Sequence, residues 1–121
     1  MKLPRIGITM GDPAGIGPEV VMKALADPSI QGMARPVVIG DAKRLAKAGK
    51  LAGVHKKLSG DDCIDLGLVP EDLPFGQTSA IAGEASFRYI ERAVKLTVDG
   101  TLDAMCTGPI SKEAINLAGH K

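Results

Sequence analysis

Apolar runs alternate along this chain with stretches of helical spacing, and the junctions carry glycine, proline or aspartate. Residues 5–10 predict a first strand, and residues 18–25 a helix whose apolar face holds Val20, Val21, Ala24 and Leu25, with Asp27-Pro28 ending it. Residues 35–40, uninterrupted from Pro36 to Ile39, read as a strand buried on both faces. Asp41 then stands where it can cap a helix over 42–48, on which Lys43, Arg44 and Lys47 form a solvated face and after which Gly49 supplies the stop. The pattern weakens over 51–68, where 54–58 and 63–68 are short strand candidates around a turn at Ser59-Gly60-Asp61-Asp62. After a loop at 70–78, the longest periodic segment, 79–98, predicts a helix with Ala82, Ala85, Ser86, Tyr89, Ala93 and Leu96 along one closely packing stripe. Gly100 stops it, a strand follows over 102–107, and a helix over 110–118 ends at Gly119. Strand and helix in turn argue for an α/β fold, a mostly parallel sheet flanked by helices, in one domain without an internal boundary.

Directly after the first strand comes Gly11-Asp12-Pro13-Ala14-Gly15-Ile16-Gly17-Pro18-Glu19. Glycines let the main chain bend sharply and approach a ligand, and Pro18 has the fixed φ favoured at a first helical position. A strand feeding such a bend and then a helix is where parallel sheets bind anions, because first-turn amides lack an intrahelical partner. The spacing matches neither the dinucleotide fingerprint nor the P-loop. Two readings therefore stand: a ligand loop, or a turn whose glycines serve geometry alone. Asp12 divides the same way, between a carboxylate that orients a hydroxyl, amine or metal-bound water and a turn residue bonding its own backbone beside Pro13.

Thr107-Gly108-Pro109-Ile110-Ser111-Lys112 repeats this logic after the last strand. Lys112 would add a point charge for a phosphate, the plainer reading being a solvated lysine beside an ordinary cap. Asp12, Gly15, Gly17, Thr107, Gly108 and Lys112 are the candidates to face substrate or cofactor, with both bends at carboxyl ends of parallel strands, offering amides to one anionic guest. Glu19 reads as a complement to a helix start and Glu84 as a wet-face residue of the long helix, both structural, and Asp61-Asp62 as a turn.

Composition narrows the partners. The 121 residues are 45% apolar and 24% charged with a formal net charge of +1, which excludes a polybasic nucleic-acid surface, and no apolar segment is long enough for a membrane span. Phe75, Phe87 and Tyr89 are the whole aromatic content, too little for base-stacking platforms. Cys63 and Cys106 stand far apart without a C-x-x-C pair, so neither a zinc site nor a disulfide framework is expected, and a reducing cytoplasm fits. No signal-peptide core precedes the first strand.

Four segments in order carry a family resemblance along the whole chain: Ile8-Thr9-Met10 with the first bend through Glu19, Val38-Ile39-Gly40-Asp41, residues 83–90 (Gly83-Glu84-Ala85-Ser86-Phe87-Arg88-Tyr89-Ile90), and residues 107–112 with Ala118-Gly119-His120. The chain resembles the amino-terminal part of the 4-hydroxythreonine-4-phosphate dehydrogenase family of pyridoxal phosphate biosynthesis, phosphothreonate and phosphoerythronate dehydrogenases included. The resemblance implies part of an isocitrate/isopropylmalate dehydrogenase-like fold, a cytoplasmic homodimer, and oxidation of the secondary alcohol of 4-phosphooxy-threonine by NAD, with NADP the alternative cofactor. It further implies decarboxylation of the resulting β-keto acid and a divalent metal, held by three histidines, that polarises the oxidised oxygen. The sequence reaches Lys121 before the family's Gly-His-Thr-Glu substrate segment and those histidines, and His55 and His120 match none of them. The expectation is thus a partial chain, inactive alone, without a metal site of its own, and weakly stable or self-associating if isolated. Two other classes remain in view: an acyl-phosphate transferase, needing no nicotinamide, and a non-catalytic phosphate-binding module.

Overall fold

The computed structural model describes residues 2–54, 58 and 60–120. Its elements run β1 (Arg5–Thr9), α1 (Gly17–Leu25), α2 (Pro28–Met33), β2 (Arg35–Gly40), α3 (Ala42–Leu51), β3 (Cys63–Asp65), α4 (Ala80–Val98), β4 (Ala104–Thr107) and α5 (Lys112–Leu117). The strands form one parallel sheet in the order β3-β2-β1-β4. Parallel neighbours need crossovers, and the helices supply them, which is the architecture the alternation predicts. Successive strands step one way from β1 to β2 and β3, then return to its other side with β4, so the order reverses between β1 and β4. In an open α/β sheet that reversal opens a crevice at the carboxyl ends of the two strands.

The core lies on the sheet's aliphatic strands. Val37, Val38 and Ile39 of β2 are buried, as the unbroken apolar run predicts for a strand covered on both faces. From α4 the buried residues include Ala82, Ala85, Ser86, Tyr89 and Ala93 of the stripe expected from its spacing, with Leu96 partly buried beside it, and Gly83 is buried as well. On α1 the inward residues are Val21, Met22 and Leu25, whereas Val20 is 41% exposed: Met22, two residues on, takes the place assigned to it.

Several junctions differ from the sequence reading. Asp27-Pro28 ends α1 but also starts α2, with the Asp27 carboxylate accepting from the Ser29 amide and hydroxyl. Asp41 precedes α3 but does not cap it. Its carboxylate instead accepts from the Tyr89 hydroxyl (2.8 Å) and from the amides of Leu68 (3.0 Å) and Val69 (2.9 Å), while Asp65 accepts from the Ala42 amide. Asp41 thereby pins β2, α4 and the segment after β3 together, and burial together with this bond pushes the Tyr89 phenol far above its ordinary range. Gly49 lies inside α3, packed against Met22 of α1, and the chain turns at Gly53 with φ +80°.

Arg44, expected on a solvated face, is buried. It lies beside Leu45 and one turn before Ala48, so it shares their inward side. Val54 and Leu58 belong to no strand, and the other residues of the proposed strand 54–58 lie outside the described residues, His55 among them. β3 stops at Asp65 rather than 68 because Gly67 turns the chain at φ +57° and the next two amides go to Asp41. α5 begins at Lys112, not 110, where the Ser111 hydroxyl accepts from the Ala114 amide. Among the described residues no helix is long and apolar enough to cross a membrane.

Candidate functional site

The bends after β1 and β4 start level with one another, since Thr9 pairs with Thr107 across the two strands. They are tied directly: the Gly108 amide donates to the Thr9 carbonyl at 2.7 Å, and the Asp12 amide to the Pro109 carbonyl at 2.9 Å. This stacking explains the glycines. Gly11 has φ +77° and a Cβ there would lie 2.3 Å from the Pro109 carbonyl oxygen; one on Gly17 would lie 2.3 Å from that of Met10. Backbone stands where side chains would be.

The same closeness corrects one expectation. The first bend does not hold out a row of free amides: those of Asp12, Ala14 and Gly15 donate to the Pro109 carbonyl, the Asp12 carboxylate and the Asp12 carbonyl, and Gly108 is likewise engaged. The Asp12 bond to Ala14, at 2.9 Å, is the turn reading of that residue, and its side chain is largely buried. Gly17 is buried under the bend, while Gly15 is partly open. α1 starts without a side-chain cap, but Glu19 in its first turn already complements the helix start, and Lys23 pairs with Glu19 at 3.3 Å.

What the second bend offers outward is side chain. Thr107, Pro109, Ile110 and Lys112 are exposed and Gly108 is buried. α5 carries Lys112 as its first residue, and α5 is held against α4 so closely that a Cβ on Gly83 would lie 1.9 Å from the Ala114 carbonyl oxygen. Behind the last turn, the His120 ring stacks on Phe87 at 3.7 Å between centroids and bonds to Glu84, whose carboxyl it holds below the ordinary range, with Arg88 adding to the effect. Glu84 thus braces the end of α5 rather than standing free on a wet face.

Sequence reasoning missed the residues that hold the first bend from below. Arg44 donates from Nε to the Pro13 carbonyl at 2.8 Å, lies 3.7 Å over the Phe75 ring, and the Gly76 amide donates to the Ala14 carbonyl at 2.7 Å. The spacing of Arg44 to Ala48 on an otherwise inward face was the available signal.

Among the described residues no three histidine, cysteine, aspartate or glutamate side chains cluster as metal ligands would. These residues do not fit a metal centre. Nor are the Asp12, Ala14 and Gly15 amides of the first bend available to a dinucleotide pyrophosphate, since they are already bonded.

Residues 32–121 match the family model described as Pyridoxal phosphate biosynthetic protein PdxA. The chain belongs to this family. D-threonate 4-phosphate dehydrogenase of Cupriavidus necator is 57% identical over 98% of the chain and 40% of its own length. 4-Hydroxythreonine-4-phosphate dehydrogenase of Trichlorobacter lovleyi is 39% identical over 97% of the chain and 39% of its own. Among solved structures, a 4-hydroxythreonine-4-phosphate dehydrogenase from Burkholderia phymatum superposes with a TM-score of 0.92 at 51% identity, covering all of this chain and 41% of that one. A terephthalate 1,2-cis-dihydrodiol dehydrogenase from Burkholderia xenovorans superposes at 0.81 with 31% identity over 99% of the chain and 38% of that one. The chain thus spans about 40% of the length of the curated relatives it matches. This PdxA-family chain shares its α/β core with dehydrogenases of phosphorylated and unphosphorylated substrates alike.

Proposed function

We propose that this chain is the amino-terminal part of a larger dehydrogenase that oxidises a 4-phosphorylated hydroxy acid with NAD or NADP, D-threonate 4-phosphate before others. The observation that carries the substrate is the 57% identity to the Cupriavidus necator enzyme of that name. 4-Hydroxythreonine-4-phosphate is the second reading, favoured by the 51% identical Burkholderia phymatum structure described by that activity. In either case the hydride of the secondary alcohol passes to the nicotinamide and its proton to solvent, and the ketone, standing β to the carboxylate, loses carbon dioxide.

Within this chain the proposed ligand-facing side chains are Thr107 and Lys112, on a frame made by Asp12, Gly15, Gly17 and Gly108. Phosphate preference then rests on Lys112 and not on the fold, since the frame is shared with a dihydrodiol dehydrogenase at a TM-score of 0.81. A divalent metal would stabilise the developing alkoxide, and its ligands belong to the remainder of the complete protein. The proposal includes a homodimer in the cytoplasm.

The test is NADH absorbance from the complete protein given NAD, a divalent cation and each of three substrates. D-threonate 4-phosphate should give the highest kcat/KM, 4-hydroxythreonine-4-phosphate less, and terephthalate dihydrodiol none. Turnover of the dihydrodiol alone, or acyl-CoA formation from an acyl phosphate without NADH, would contradict the reading.

A further inference from the structure

Arg44 is 2% exposed and carries a charge that protein burial opposes, which holds its guanidinium below the ordinary range. Its polar partners are two main-chain carbonyls, Pro13 from Nε (2.8 Å) and Glu71 from Nη1 (3.3 Å), and Nη2 has no hydrogen-bond partner among the described residues. The guanidinium carbon lies over the Phe75 ring, 3.7 Å from its centroid. For stability alone, a buried cation with incomplete partners is a poor choice against an apolar side chain of similar volume. Its position gives it another use. Pro13 and Ala14 are consecutive residues of the first bend; Arg44 takes the carbonyl of one, and Gly76, next to Phe75, donates to the carbonyl of the other. On the opposite side the Ala14 and Gly15 amides are held by Asp12. Each of these peptide planes is therefore fixed at both its oxygen and its nitrogen.

We propose that Arg44 is a positioning residue: lying over Phe75 and bonded to the Pro13 carbonyl, it sets the first bend, and with it Gly15 and the start of α1, at the height where Thr107 and Lys112 meet a ligand. This rests on the reading above that Thr107 and Lys112 face the ligand on a frame to which the first bend contributes. Lysine at this place keeps the charge but neither the planar fork nor its place over the ring.

The experiment compares the complete wild-type protein with Arg44→Lys and, as a milder change, Phe75→Leu. Amide exchange at Ala14 and Gly15 is expected to speed up in Arg44→Lys while α4 exchanges as before. With NAD and D-threonate 4-phosphate, KM for at least one of the two should rise roughly tenfold, the scale of loss when a supporting hydrogen bond behind a site is removed, with kcat changed much less. Phe75→Leu should move both readouts in the same direction by less. A purely structural role would lower Tm and leave both KM values alone; that result, or unchanged exchange at Ala14 and Gly15, overturns the proposal. If the wild-type protein forms no NADH, the proposed function falls, and the exchange rates alone decide whether Arg44 sets the bend.

Discussion

Gly83→Ala is expected to detach α5 from α4 and, with it, to displace Lys112 from the second bend. An added Cβ would stand 1.9 Å from the Ala114 carbonyl oxygen and 2.2 Å from its carbon, and both belong to helix backbone, which cannot swing aside as a side chain tip can. Relief requires the helices to separate, and overpacking of this kind costs about 1–3 kcal/mol. The loss is larger in consequence than in energy, because the stacking of His120 on Phe87 and its bond to Glu84 depend on the same contact. Thermal unfolding of the complete protein should show a lowered Tm, and KM for the phosphorylated substrate should rise in the same variant. Gly32→Ala serves as the control: nothing lies within 4 Å of a Cβ there and its φ is not positive, so it should be neutral or stabilise by up to ~1 kcal/mol. Equal Tm for the two variants would mean that α4 and α5 do not pack as described.

Lys112→Ala carries the largest expected effect on ligand binding. Lys112 is exposed beside Thr107 and Pro109, and no ion pair with it occurs among the described residues, so its charge is available to a ligand. A hydrogen bond between an ammonium and a phosphate oxygen contributes about 1.5–3 kcal/mol, so its loss should raise KM for D-threonate 4-phosphate roughly ten- to a hundredfold. Tm should not move, since Ser111, not Lys112, caps the helix. The rise should shrink at high salt, which screens an exposed charge. KM for NAD unchanged alongside a raised substrate KM would assign the second bend to the substrate; an unchanged substrate KM would remove Lys112 from the site.

The legible part of the fold was the part written in hydrophobic period. β2 reads directly because Val37, Val38 and Ile39 are buried on both faces, and α4 because its small residues fall on one stripe. The adjacency of the two bends was legible too, since parallel strands flanking a reversal of order bring their following loops together. What escaped was set by contacts distant in sequence. Asp41 looks like a cap, yet Tyr89, forty-eight positions on, and the amides of Leu68 and Val69 take its carboxylate. Arg44 looks solvated until Pro13 and Phe75 are placed around it. The first bend looks like an anion cradle because its glycines are visible in sequence, whereas the bonds that occupy its amides come from Pro109 and from its own Asp12. Family membership was legible from four ordered segments, because their combination is far more specific than any one glycine bend.

The bends following β1 and β4 are proposed to form one ligand site. Hydrogen–deuterium exchange of the complete protein, with and without NAD and D-threonate 4-phosphate together, tests it most directly. Segments 11–17 and 107–112 should both gain protection when the ligands bind, while α2, which leads into the amino-terminal end of β2, stays as it was. Protection confined to other parts of the protein, with both bends exchanging at their free rates, would contradict the account.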